Sequence, residues 1–159
     1  VTIFPDDVII NDVSATEQLM QVYREHGGSV LAVTETADEI IHTKGVVGGS
    51  SKGDGVHEVD ALVEKPALKD APSNLAIVAR YILNNAVFDY LAEEHAGAGG
   101  EVQITDAIAS LLGNSPIHAR EISGFHADTG NPGGMLQAAI HVAKQDPELA
   151  EIVNQALRG

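Results

Sequence analysis

A chain of 159 residues is the size of one compact domain, and with 44% hydrophobic and 20% charged residues it can bury a core, an aliphatic one since aromatics are 4%. The absence of cysteine excludes a disulfide scaffold, thiolate zinc, iron-sulfur clusters and cysteine nucleophiles. A net charge of −14 repels nucleic-acid backbones and anionic lipid surfaces, and with no apolar leader and no apolar run near the ~20 residues of a membrane span, the sequence predicts a cytoplasmic protein without nucleic-acid or membrane partners.

Val1-Thr2-Ile3-Phe4 is a β-type run that ends in the turn signal Pro5-Asp6-Asp7. Opening on such a run with no initiator Met, the chain is expected to start in mid-domain. Ser14 to Glu17 fits a capping box for a helix carrying Leu19, Met20, Val22 and Tyr23 at helical spacing, stopped by Gly27-Gly28. The continuous run Ser29 to Thr34 has the pattern of a strand buried on both faces of a parallel sheet, so a βαβ unit is expected. Gly45 to Gly55 is rich in Gly and Ser and reads as a polar loop at a hairpin tip. Val56 to Val63 alternates as a strand and ends at Glu64-Lys65-Pro66, because Pro cannot donate to a ladder.

After a loop to Asn74, Leu75 to Leu83 is the strongest strand in the sequence. Phe88 to Glu94 reads as a short helix and Ala96 to Gly100 as a Gly-rich link. Thr105-Asp106 reads as the cap of a helix from Ala107 to Leu112. Ile117 to Ile122 follows as a strand. Asn131-Pro132 opens a helix to about Gln145 and Asp146-Pro147 a last helix to Leu157. Leu136, Ala139, Ile140, Val142, Ala143, Leu149, Ile152, Val153 and Leu157 give these helices an apolar face, expected to serve mostly as core and otherwise as an oligomer contact. The sum is a mixed α/β domain whose first strands are missing.

Seven His residues include no pair at i, i+4 with a Glu between, so a His-based zinc site has little support. Asp6 and Asp128 both stand at expected strand ends, where ligands of open α/β sheets bind; they can share a Mg²⁺ or simply serve turns. Glu64-Lys65 offers a hydroxyl acceptor beside a compact cation suited to phosphate, or an exposed ion pair. Asn131-Pro132-Gly133-Gly134 gives a helix N-terminus with small residues, a possible but unspecific anion site. Neither G-x-x-x-x-G-K-[ST] nor a helix-opening G-x-G-x-x-G is present, which excludes P-loop and Rossmann nucleotide sites.

Phe4-Pro5-Asp6-Asp7, Val63-Glu64-Lys65-Pro66 with Ala71 to Tyr81, Gly99-Gly100-Glu101-Val102-Gln103-Ile104-Thr105-Asp106-Ala107-Ile108 and Asp128-Thr129-Gly130-Asn131 together resemble bacterial UTP:glucose-1-phosphate uridylyltransferases. The resemblance implies a nucleotidyltransferase-type mixed sheet flanked by helices, in which residues 1–159 form the C-terminal part of a single sugar nucleotidyltransferase domain without its N-terminal nucleotide-binding strands and their G-x-G-T-R signature. It implies the Mg²⁺-dependent reaction of UTP with glucose 1-phosphate to give UDP-glucose and pyrophosphate. Asp6 then matches the family's metal-binding, catalytic Asp, and Asp128 the second metal carboxylate. Gly45 matches the glycine whose backbone approaches the sugar, Glu64 the acceptor for glucose hydroxyls, and Lys65 the catalytic lysine that contacts the sugar phosphate. Lys44 departs from the aromatic residue usual before that glycine. A homo-oligomer is expected, and the alternative is a non-catalytic fragment acting as a sugar-phosphate-binding or oligomerisation module.

Overall fold

The computed structural model describes residues 1–92 and 102–158. Its elements are, in chain order, β1 (Thr2–Ile3), β2 (Asp7–Ile10), α1 (Ala15–His26), β3 (Ser29–Glu35), β4 (Gly45–Gly53), β5 (Val56–Glu64), β6 (Leu75–Ile82), α2 (Val87–Ala92), α3 (Ile104–Ala109), β7 (Ile117–Glu121), β8 (Phe125–Asp128), α4 (Pro132–Ala143) and α5 (Pro147–Arg158). They form two compact units: Val1–Ile3 with Val13–Ser123, and Phe4–Asp12 with the segment from Gly124 on. The link expected at Ala96 to Gly100, and the end of the helix expected at Glu94, lie outside the described residues.

The larger unit is built on a mixed sheet of order β1-β6-β3-β7-β5-β4, in which β4 also pairs with β6. β6 is central, as its unbroken apolar run requires: β1, β3 and β4 all pair with it antiparallel. The parallel surroundings expected for β3 hold on one side only, where it pairs with β7. The βαβ reading is corrected accordingly, since β1 and β3 are parallel to each other but β6 lies between them. The main core, including Leu31, Val33, Leu62, Ile77 and Ile117, packs with Val87 of α2 and Ala107 and Ile108 of α3. On α1, Leu19 and Val22 are buried and the helix packs on β3, β6 and β7. Its start follows the sequence in part: Ser14 Oγ accepts from Glu17 N at 3.2 Å, but the Glu17 carboxylate pairs with Arg24. Gln18, buried within the same unit, accepts from Ser123 N at 2.9 Å and donates to Val13 O at 3.0 Å, tying the two ends of the segment together.

Two expectations are overturned here. The Gly-rich stretch is strand β4, paired with β5 through two bulges, and only Gly53-Asp54-Gly55 remains as the left-handed hairpin tip. Bulges let a flexible segment with extra residues keep its ladder. The helix expected at Ala107 to Leu112 instead spans Ile104–Ala109, with Gln103 at its N-terminal cap position and Thr105 in its first turn, 5% exposed.

The smaller unit holds the antiparallel pair β2–β8 with α4 and α5. The sequence placed Asp6 and Asp128 at strand ends but gave the bounds of neither strand, each being four residues. The caps of the helices follow expectation: Asn131 Oδ1 accepts from Gly134 N at 2.9 Å, and Asp146 Oδ1 accepts from Glu148 N at 2.9 Å. Their apolar face does not serve as core in the way expected. Ala143 is buried, but Leu136, Ile152 and Leu157 are 60%, 61% and 81% exposed. Among the described residues no helix is long and apolar enough to cross a membrane.

Candidate functional site

In the larger unit, the β4–β5 hairpin places Gly45 directly opposite Glu64. A Cβ on Gly45 would stand 3.0 Å from Glu64 Oε2 and 3.0 Å from Thr105 Oγ1, so a carboxylate and a hydroxyl converge on a backbone that has no side chain to cover it. The Glu64 side chain is 11% exposed. A largely desolvated carboxylate held at a fixed place is a strong hydrogen-bond acceptor.

Lys65 follows at the end of β5. Its backbone is left-handed, at φ 47°, and its N–H donates to Lys44 O at 3.0 Å. Outside the hairpin tip it is the described non-glycine residue with positive φ, a conformation that costs an L-residue roughly 1–2 kcal/mol. Lys65 Nζ lies 3.6 Å from Glu64 Oε1 and its side chain is 51% exposed, so the ammonium meets solvent while remaining near the carboxylate. A compact cation in that position suits a phosphate.

Thr105 was missed in the sequence as a site residue, since a Thr before an Asp is the ordinary signature of a helix cap. Its burial and its contact with Gly45 depend on α3 packing against β5, a tertiary relation without a local signal.

In the smaller unit, β2 and β8 pair with Asp7 opposite Asp128. Asp6 immediately precedes β2, and its carbonyl accepts from Thr129 N at 2.7 Å and Thr129 Oγ1 at 2.8 Å, which locks the chain on either side of the two carboxylates. Asp128 Oδ1 accepts from Gly130 N at 3.0 Å. A Cβ on Gly130 would stand 3.1 Å from Asp128 Oδ1 and 3.3 Å from Asp6 Oδ2. Both carboxylates therefore lie close against Gly130, where a side chain would crowd them, and the separation along the sequence is no separation in the fold. Gly134 completes the arrangement, because a Cβ there would fall 1.8 Å from Asp128 O; the first turn of α4 rests directly on the end of β8.

The donor set fits a Mg²⁺ better than a cation that needs an all-protein cage. Among the described residues no group of three or more His, Cys, Asp or Glu is arranged to hold a metal. Mg²⁺ is usually held through one or two carboxylates, with waters and substrate phosphate oxygens completing its shell.

The nucleotidyl transferase family matches residues 1–145. A UTP–glucose-1-phosphate uridylyltransferase of Staphylococcus epidermidis is 40% identical over 146 residues, covering 92% of this chain and 51% of that protein. One of Bacillus subtilis is 36% identical over 144 residues, covering 91% of this chain and 48% of that protein. The chain thus spans about half the length of the curated relatives it matches. Among solved structures, a UDP-glucose pyrophosphorylase complexed with UDP-glucose matches 90% of this chain and 55% of that one, with a TM-score of 0.84 and 35% identity. A UTP-bound enzyme of the same kind from Acinetobacter baumannii matches 98% of this chain and 54% of that one, with a TM-score of 0.80 and 26% identity. The mixed sheet, the match over most of the sequence and the relatives found independently by sequence and by fold agree, and the chain belongs to the nucleotidyl transferase family.

Proposed function

We propose that this chain carries the sugar-phosphate and metal half of a UTP:glucose-1-phosphate uridylyltransferase, the activity named for its relatives. The observation that carries the reading is the convergence of Glu64 and Thr105 on the bare backbone of Gly45, with Lys65 next in sequence. Glu64 accepts hydrogen bonds from glucose hydroxyls, Gly45 lets the ring approach the main chain, and Lys65 holds the phosphate of glucose 1-phosphate. Asp6 and Asp128 would hold Mg²⁺, which when bound would offset negative charge on the phosphates.

The reaction needs no covalent intermediate. A phosphate oxygen of glucose 1-phosphate forms a bond to the α-phosphorus of UTP, the bond from that phosphorus to its bridging oxygen breaks, and pyrophosphate leaves with the electron pair. Lys65 contributes by orienting the attacking oxygen and by reducing repulsion between two anions as they approach. UDP-glucose and glucose 1-phosphate are then the ligands of this half, with UTP as the second substrate, in a cytoplasmic enzyme.

The test is UDP-glucose formation from UTP, glucose 1-phosphate and Mg²⁺ by the protein that carries these residues. Asp6→Asn, Asp128→Asn and Lys65→Ala are each expected to lower kcat/KM on the order of 100-fold or more. Activity unchanged in all three would refute the assignment.

A second reading, an oligomerisation module, is favoured by the apolar cleft of about 600 Å³ in the smaller unit, lined by Val8, Met135, Val142, Leu149 and Ile152 among others. Sedimentation of wild type beside Ile152→Glu measures it: a smaller species for the variant supports the contact, and the same species for both refutes it.

A further inference from the structure

The β2–β8 ribbon contains an arrangement that folding alone disfavours. Asp7 and Asp128 are directly opposite each other, where like charges repel, in a two-stranded pairing of only four residues a side. Alternation along the strands puts Asp7, Ile9, His126 and Asp128 on one face of the ribbon and Val8, Ile10, Phe125 and Ala127 on the other. On the first face, diagonally across the ribbon, His126 Nε2 lies 2.5 Å from Asp7 Oδ1, and the two side chains are only 22% and 15% exposed. A carboxylate accepts and cannot donate, so the imidazole N–H donates to Asp7.

Asp7 is thereby tied to its diagonal neighbour. Its neighbours along and across the chain, Asp6 and Asp128, are the pair whose carboxylate oxygens lie against Gly130. We infer that His126 is a positioning residue, which holds the Asp7 carboxylate to itself and so leaves Asp6 and Asp128 as the two groups presented at Gly130. The inference rests on the metal reading above. It extends by one step the logic of partners behind a metal site, whose hydrogen bonds fix the ligands' orientation: here the hydrogen bond holds a carboxylate adjacent to both ligands. Removing the imidazole withdraws a donor from Asp7, the carboxylate that stands across the ladder from Asp128 and next along the chain to Asp6.

The experiment is a Mn²⁺ titration of the chain, read from the paramagnetic resonance signal of free Mn²⁺, at a temperature where circular dichroism shows each variant folded. Wild type is expected to bind Mn²⁺ and Asp6→Asn to lose it; wild type that binds no Mn²⁺ overturns the metal reading and this inference with it. His126→Leu fills the space without a donor and is expected to bind at least about 10-fold more weakly, whereas His126→Gln keeps an N–H donor at similar reach and is expected to stay within about threefold of wild type. Should the Leu variant not fold, His126→Asn, whose shorter amide falls away from Asp7, takes its place with the same expected loss. Wild-type binding together with Leu equal to wild type, or Gln and Leu equally impaired, overturns the positioning role and leaves the metal reading standing.

Discussion

Lys65 joins two properties that folding would not select together, a left-handed backbone and a half-exposed ammonium. Its ion pair with Glu64, at 3.6 Å and partly solvated, is worth at most about 1 kcal/mol. Lys65→Ala should therefore change thermal stability little. Lys65→Gly relieves the strained φ but also loosens the unfolded chain, so its net effect on stability is expected within about 1 kcal/mol of zero. Both should lose affinity for glucose 1-phosphate alike. A chemical-denaturation series finding either variant less stable by 3 kcal/mol or so, with affinity kept, would return Lys65 to a structural role. His118 is a different kind of case: 6% exposed, its Nδ1 without a hydrogen-bond partner, its ring 4.9 Å from that of His26. Burial pushes its pKa below the ordinary 6.5, and the neighbouring His26 pushes the same way while Glu58 opposes. A folded-state value below the unfolded one means that the unfolded chain takes up the proton first. The contribution is therefore complete above about pH 6.5 and is lost as pH falls through the folded pKa. Melting temperature should fall from pH 7 to pH 5, and His118→Leu should flatten that slope; an identical slope in the variant would remove His118 as its cause.

At the level of elements, the sequence was most legible where one signal decides. The Leu75 to Leu83 run is β6 to within a residue, and Asn131-Pro132 and Asp146-Pro147 open α4 and α5 because an Asx side chain and a proline at the next position satisfy a helix start locally. It was least legible where pairing overrides composition. Gly45 to Gly53 has little intrinsic β preference and is a strand because β5 and β6 supply partners. The same override hid part of the site: Glu64, Lys65 and Gly45 were marked by resemblance, but their meeting with Thr105 needs α3 packed on β5. The closeness of Asp6 and Asp128 needs β2 and β8, two strands too short to announce themselves. Gly134 is the clearest consequence at this scale. With 1.8 Å available to a Cβ, Gly134→Ala must push α4 off the end of β8, and it is expected to cost about 1–3 kcal/mol and to weaken Mn²⁺ binding together. Denaturation and metal titration on the same sample check this, and an alanine variant with wild-type values in both would contradict the contact.

For the whole molecule, the chain spans about half of its curated relatives; Gly45, Glu64, Lys65 and Thr105 belong to the larger compact unit, and Asp6 and Asp128 to the smaller. The sequence carries neither a P-loop nor a Rossmann glycine motif, and the role proposed for these 159 residues is to hold the acceptor substrate and the metal rather than the uridine nucleotide. Supplied alone with UTP, glucose 1-phosphate and Mg²⁺, the chain is expected to form no UDP-glucose, because an unoriented nucleotide forfeits the several kcal/mol that positioning contributes. Binding of the acceptor is the property it should retain. The most direct measurement is thus a calorimetric titration of glucose 1-phosphate into the 159-residue chain, beside Glu64→Gln and Lys65→Ala. Saturable binding by the wild type is expected, weakened at least about tenfold, or 1.4 kcal/mol, in each variant; equal affinity in all three, or no binding by a folded wild type, would contradict the proposed acceptor site.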